Sequence, residues 1–532
     1  MGGGTGGRAD RVTLELSASA TARRPAPRTA VEAARSAAGR FLPPGAVLAL
    51  AAWLRFRQLT AVGFNSDEAV YTGSAQALAG HTHLESMFPV FRAHPILVQL
   101  IIAQALRISD SDWSARAVTA GFGVVTVGLT YLLGRRLHGA AAGCTAAGLL
   151  AVMPYHVVVS REVLLDGPMT CFGVLCLYCL ARATEDAPQR WAVAAGASLG
   201  LSALCKETSA VWVGSVFVFG AMGAAGRLRP RHLLLGLMVF TGVFATYPLA
   251  VRMSGASGTS QNFLLWQLLR RANHPLWFYL TTLPGAIGPA VLVLALLGLV
   301  LRRRLLDWRE RLLLAWIAVP AVFFTLWPVK GYQYLLPVAP ALTVLAAIPV
   351  AALWNARDRP GTRRVSRSAA PALALAAMAT LLVPTWRQIN PSDSTTFLAG
   401  SGGLPGGREA GRWIASHLPR GAELLGSGPS IANVLEYYSG REVGALSVSS
   451  DPHNRNPVYR PVPNPDLAVR RGEYQYLVWD TYTAARTPYF ASELEKLVNR
   501  YHGVAVYTGT VTVATGLGPT PVPVIVIYEV HP

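Results

Sequence analysis

PGAVLALAAWLRFRQLTAVGFNSDEAVY, residues 44–71, joins an apolar run to an adjacent pair of acidic residues. The run at 44–62 is long enough to cross a bilayer core, which takes roughly 17–25 apolar residues as a helix. Asp67 and Glu68 follow at its rim, where a carboxylate is costly to place and by default suggests function. A membrane span that delivers two carboxylates to one surface thus sets the fold class and the place to look for chemistry.

Ten further segments of the same kind follow, at 117–134, 140–159, 164–181, 191–205, 208–226, 233–251, 284–301, 312–329, 332–354 and 369–385. The apolar piece at 95–107 is too short to span and reads as an interfacial or re-entrant helix. Composition agrees: 52% of residues are hydrophobic, 14% are charged and the mean hydropathy is +0.36, too apolar for an ordinary soluble domain. The net charge of +19 does not indicate nucleic acid, because the arginines sit in short clusters between spans. With the N-terminus inside, Arg135-Arg136, Arg182 and Arg190, Arg227 to Arg231, Arg302 to Arg311 and Arg357 to Arg367 all fall in cytoplasmic loops. That is the positive-inside pattern, and counting 95–107 as a span would invert every later basic loop. The expected architecture is an α-helical polytopic plasma-membrane protein of about eleven transmembrane helices, with residues 386–532 outside as a small extracytoplasmic α/β domain.

The ends differ in character from the body. Residues 1–43, rich in Gly, Ala, Ser, Pro and Arg, read as a disordered cytoplasmic tail, and the first span as an uncleaved anchor. In the C-terminal part, helical patterns at 408–417, 430–438 and 489–501 alternate with strand-like runs at 422–426, 474–480, 503–511 and 521–529. All five cysteines lie in apolar segments, which argues against a disulfide framework and a zinc site.

Several residues have the chemistry for a site, and each also has a plainer reading. Ser66 can cap a helix from Asp67 to about Ala79, which places both carboxylates in its first turn. There they either stabilise the helix dipole or supply a general base or metal ligand. Asp166, before Gly167-Pro168, is a helix cap or a second carboxylate at the same rim. Asp67 and Asp166 together suit a divalent ion with oxygen ligands, or a division of base and orienting roles. The chain has only three lysines against 44 arginines, so Lys206 and Lys330 at outer span ends stand out. A compact ammonium suits a phosphate. Lys330 equally reads as a snorkelling interfacial lysine, and Lys206-Glu207 as a paired turn. His94, in Arg92-Ala93-His94-Pro95, can bind a phosphate or cap a helix; His81 and His83 are spaced like metal ligands by chance.

The order of these pieces resembles the polyprenyl-phosphate-sugar-dependent glycosyltransferases of the GT-C type. It is most similar to family 39, the protein O-mannosyltransferases and aminoarabinose transferases. The resemblance runs from about residue 44 to 355, through Asp67-Glu68 with Tyr71, His94-Pro95, Ser114-Ala115-Arg116, Gly134-Arg135-Arg136, Ser160-Arg161 with Asp166, Lys206, and Tyr332-Gln333-Tyr334. It implies a membrane glycosyltransferase domain at 44–385, a lipid-linked donor, and transfer to a hydroxyl on a protein, lipid or polysaccharide. Asp67 would be the catalytic base for the acceptor hydroxyl or a metal-linked equivalent, Glu68 would orient the acceptor or the base, and Asp166 would help shape the same site. Lys330, Arg161, Lys206 and His94 would hold the donor phosphate, and Tyr71, Tyr332 and Tyr334 would line the substrate. No nucleotide cofactor is implied, and a divalent metal on Asp67 and Asp166 stays open. Some relatives have a lysine where this chain has His94. The rivals are a polytopic flippase or transporter, which would place its ionisable residues near the midplane, and a non-catalytic scaffold.

Overall fold

The computed structural model describes residues 1–4, 30–91, 93–223, 228–255, 257–303, 307–356, 363–390, 403–451, 454–515 and 518–531. Most of the expected tail, residues 5–29, lies outside the described residues, as do Arg227, Arg304, Arg357 and Arg359 of the basic clusters. Residues 1–43 and 44–532 form separate units.

Helix α1 (Ala30–Phe56) leads through a loop to α2 (Ser66–Ala79), then α3 (Leu97–Ile108), α4 (Asp112–His138), α5 (Ala140–Val152) and α6 (Pro154–Arg161). Next come α7 (Asp166–Glu185), α8 (Pro188–Cys205), α9 (Val211–Ala221), α10 (Pro230–Met253) and α11 (Ser257–Leu269). Helices α12 (Phe278–Ile287), α13 (Pro289–Arg302), α14 (Trp308–Leu326), α15 (Ala339–Ala356) and α16 (Arg363–Ile389) complete the apolar body. Among the described residues, five helices are long and apolar enough to cross a membrane, or up to seven if each of two bent pairs is one span.

Those bends revise two expected spans. The run at 140–159 breaks by 59° between α5 and α6, because Met153 precedes Pro154 and takes extended backbone (ψ 122°), as residues before proline do. The run at 284–301 begins inside α12 and turns by 97° into α13. Gly288 makes that corner at φ +95°, a conformation open to glycine, and Pro289 starts the next helix. The 95–107 piece is helix α3, of 12 residues.

The C-terminal part holds α17 (Gly407–His417), β1 (Leu424–Gly426), α18 (Pro429–Ser439), β2 (Val443–Ala445), α19 (Pro465–Arg470), β3 (Tyr476–Asp480), α20 (Thr481–Arg486), α21 (Pro488–Arg500), β4 (Val504–Thr515) and β5 (Gly518–Glu529). The sheet order is β2-β1-β3-β5-β4. β1 runs parallel to β2 and β3, and β5 antiparallel to β3 and β4. This layer shares a core with the first membrane loop: Phe64, Ala69, Ile102 and Ala115 belong to one apolar cluster with Leu404, Ile414, Ile431 and Ile527.

Candidate active site

Helix α2 starts one residue earlier than expected. Asn65, not Ser66, is its cap: Asn65 Oδ1 accepts from the Glu68 amide at 2.9 Å, and Glu68 Oε2 accepts from the Asn65 amide at 3.1 Å. This reciprocal box satisfies two orphan amides. It releases Ser66 to accept a hydrogen bond from Asn433 of α18 at 2.9 Å.

The box also decides what Glu68 does. Its carboxylate is fully buried and receives Arg116 Nε and Nη2 at 2.7 and 2.6 Å, plus the Val163 amide at 2.9 Å. Arg116 in turn donates to the carbonyls of Leu59, Val62 and Gly63. The structure therefore makes Glu68 the anchor of the loop that carries Asp67, with no oxygen left over for an acceptor. Asp67 is the opposite case. It is enclosed by protein yet keeps part of its surface open, and no hydrogen bond or ion pair to it occurs among the described residues. Burial pushes its carboxyl above the ordinary range, while the charges of Lys206 and His94 pull it back.

Asp166 stands beside Asp67 and is neutralised. Lys206 Nζ meets its two oxygens at 3.0 and 2.8 Å, both side chains being almost fully buried. The ammonium also lies 4.8 Å from the Tyr334 ring centroid. Lys206 thus does not pair with Glu207; Glu207 instead bonds His94 Nδ1 at 3.0 Å, between the rings of Tyr71 and Phe263. Burial works against the Glu207 carboxylate, but His94 holds it below its usual value.

The expected phosphate ligands consequently divide. Lys206 and His94 are spent on carboxylates. Arg161 is spent on α1, where it donates to the carbonyls of Leu54, Arg55 and Arg57. Lys330 is different: 3% exposed, among the described residues it donates its ammonium only to the Trp327 carbonyl, at 2.9 Å. Asn273 clamps its backbone from both sides, at 2.8 and 2.9 Å. That clamp brings in Arg270 and His274, which the sequence reading missed because one more arginine in an arginine-rich chain carries no signal. Tyr334 lies in the fields of Lys206, Asp166, Arg270 and Asp67. Tyr332 instead packs in the core, its carbonyl accepting from the Tyr155 hydroxyl at 2.6 Å.

The oxygen donors do not suit a resident divalent ion. Both oxygens of Asp166 already accept from Lys206, which leaves Asp67 alone. Among the described residues no group of three or more His, Cys, Asp or Glu side chains is placed to hold a metal; His81 faces Asp110 at 3.6 Å.

Residues 93–249 match the model of the family described as dolichyl-phosphate-mannose-protein mannosyltransferase. The undecaprenyl phosphate-alpha-4-amino-4-deoxy-L-arabinose arabinosyl transferase 1 of Pseudomonas fluorescens is 30% identical over 269 residues, 46% of this chain and 47% of that protein. ArnT from Cupriavidus metallidurans superposes with a TM-score of 0.65 at 17% identity, over 92% of this chain and 98% of that one. It has also been solved bound to undecaprenyl phosphate. The chain has the fold of ArnT. The likeness extends to the archaeal oligosaccharyltransferase AglB from Archaeoglobus fulgidus, solved with an inhibitory peptide and a dolichol-phosphate. There the TM-score is 0.60 at 15% identity, over 92% of this chain and 74% of that one. This chain spans about half or less of the length of the curated relatives it matches.

Proposed function

We propose that this chain is an integral membrane glycosyltransferase of the family 39 kind. It moves a sugar from a polyprenyl-phosphate donor to an acceptor hydroxyl, on a protein, lipid or polysaccharide, at the outer face of the membrane. The observations that carry this reading are a half-open carboxylate, Asp67, and a buried lysine, Lys330, neither of which has an ion partner among the described residues. Matches to relatives named as lipid-phosphate-sugar transferases support it. The grouping of ionisable residues at one end of the helices favours it over a transporter.

Asp67 takes the proton of the acceptor hydroxyl as the oxygen attacks the anomeric carbon. The bond from that carbon to the phosphate oxygen breaks, and its electron pair leaves with the lipid phosphate. Lys330 and Arg270 meet the second negative charge that develops there. Attack on one face and departure from the other inverts the anomeric centre. Asp166 and Lys206, as a neutral pair, hold Tyr334 beside the reacting groups. No step uses a metal.

The test is sugar release from a labelled polyprenyl-phosphate donor panel by the purified protein in lipid, with Asp67→Asn alongside. Removing a general base costs on the order of 10²–10⁴-fold, so the variant should fold and lose turnover. Because a base must be ionised and burial raises the Asp67 carboxyl, kcat/KM should fall as pH drops through a limb lying above the ordinary carboxylate range. Undiminished transfer by a stable Asp67→Asn protein would remove the base from Asp67.

A further inference from the structure

Three cations, Arg270, Lys330 and Arg486, act on one ring, that of His274. None has a carboxylate partner among the described residues. Lys330 uses one of its three donors. The Arg270 guanidinium lies 4.5 Å from the Trp266 ring centroid and, among the described residues, reaches only the Gln267 amide oxygen, at 3.5 Å. The Arg486 guanidinium, from α20, lies 4.4 Å from the Tyr482 ring centroid and donates to the Tyr482 hydroxyl. Asn273 fixes the first two to one another through its two bonds to the Lys330 backbone. The His274 ring, stacked on Phe278 at 4.1 Å, feels all three. Burial first, then the charges of Arg486, Lys330 and Arg270, draw its pKa down.

Like charges gathered this way raise each other's energy. The neighbouring carboxylates do not relieve it: Asp166 is taken by Lys206 and Glu207 by His94. The Tyr482 hydroxyl lies in the fields of both Arg486 and Asp67. Its helix is set by the sheet. Asp480 at the end of β3 caps α20, its Oδ1 accepting from the Thr483 amide at 2.7 Å, and Thr481 bonds the Val524 carbonyl of β5 at 3.4 Å.

We infer that Arg486, a residue of the C-terminal domain, is a phosphate-binding residue of this site and closes with Lys330 and Arg270 over the lipid-linked phosphate. The inference rests on the function proposed above, which supplies that phosphate. A guanidinium has five N–H donors, and among the described residues Tyr482 is the only side chain to which Arg486 donates. The remaining donors are free to pair with phosphate oxygens in the bidentate manner arginine favours. Donor binding is then a property of the docked C-terminal domain as well as of the membrane helices.

The experiment titrates undecaprenyl phosphate onto the full-length protein in phosphatidylcholine nanodiscs, comparing wild type with Arg486→Gln, Arg486→Lys and Arg412→Gln. The readout is the binding midpoint from the ligand-induced rise in Tm. Loss of one charge-assisted contact should weaken binding about tenfold in Arg486→Gln, with partial recovery in Arg486→Lys. Arg486 is exposed, so the unliganded Tm should not move. Arg412 is an exposed cation elsewhere in the domain, and its variant should match wild type. Wild-type binding by Arg486→Gln, or an equal loss in Arg412→Gln, would overturn the inference and leave the proposed function standing. An equal, equally Arg486-dependent response to phosphatidylglycerol would overturn the assignment to the donor phosphate. Failure of the wild type to bind undecaprenyl phosphate would overturn the proposed function and this inference together.

Discussion

Asp67 and Glu68 are successive residues in the first turn of α2, and a helix turns by about 100° per residue, so they face different surroundings. Glu68 turns back onto Asn65 and Arg116, while Asp67 faces Lys206, His94 and Asp166. Glu68→Gln would leave the Arg116 guanidinium, 4% exposed, without its counter-ion. Breaking such a buried pair costs about 3–5 kcal/mol. Thermal unfolding in one lipid should therefore show Glu68→Gln well below wild type and Asp67→Asn within about 0.5 kcal/mol of it. Equal Tm values for the two variants would refute this division of labour. The acidic pair was legible in the sequence as a pair at a rim; its division was not. Glu68's partner lies 48 residues away and Lys206's 40 residues away, and only the packing of α2, α4, α7 and α8 brings them together. The same limit explains Arg161 and Lys330. Both are cations at span ends, and the number of carbonyls each meets sets how many donors it keeps: Arg161 donates to Leu54, Arg55 and Arg57, Lys330 to Trp327.

At the level of elements, periodicity was a good guide where the chain alternates. The strand-like runs at 474–480, 503–511 and 521–529 contain most of β3, β4 and β5, and the three C-terminal helical patterns match α17, α18 and α21. The three-residue β2 and the six-residue α19 and α20 are too short to show a period. Hydropathy alone did not reveal the corners at Pro154 and Gly288, because an apolar run reads the same whether straight or broken. Nor does a sequence pattern announce where backbones touch. A Cβ at Gly403 would lie 2.0 Å from the Gly63 carbonyl oxygen, a backbone atom with little room to yield. Next to it, the Leu404 amide bonds the Phe64 carbonyl at 3.2 Å, and the Tyr438 hydroxyl bridges the Phe64 amide and Asp112 at 3.0 and 2.8 Å. Gly403→Ala should therefore loosen the C-terminal layer from the α1–α2 loop. Limited proteolysis should then cut the chain before α17 at a protease dose that wild type survives, with turnover lowered and the apolar body intact. Unchanged digestion and turnover would mean the contact is not a hinge point for docking.

For the whole molecule, that same docking constrains the topology. Asn433 bonds Ser66 and Leu404 bonds Phe64, so the C-terminal layer lies on the same side of the bilayer as the loop after α1. The chain must cross an even number of times in between. The eleven spans of the sequence reading place ten there, which satisfies the condition; turning both bent pairs back would leave eight and satisfy it too. Turning back only the 97° pair, α12 with α13, would violate it. Sidedness can be read at two exposed arginines separated by seven of the expected spans, Arg190 in the first turn of α8 and Arg412 in α17. The native cysteines give a low background, since four are buried and Cys144 is half-buried. In intact cells a membrane-impermeant maleimide should label Arg412→Cys at once, and Arg190→Cys only after permeabilisation. Labelling of both from outside would make the number of crossings between them even, through a re-entrant bend. Labelling of Arg190→Cys alone would put the C-terminal layer and Asp67 on the cytoplasmic face, where a donor presented from the outer leaflet cannot reach them.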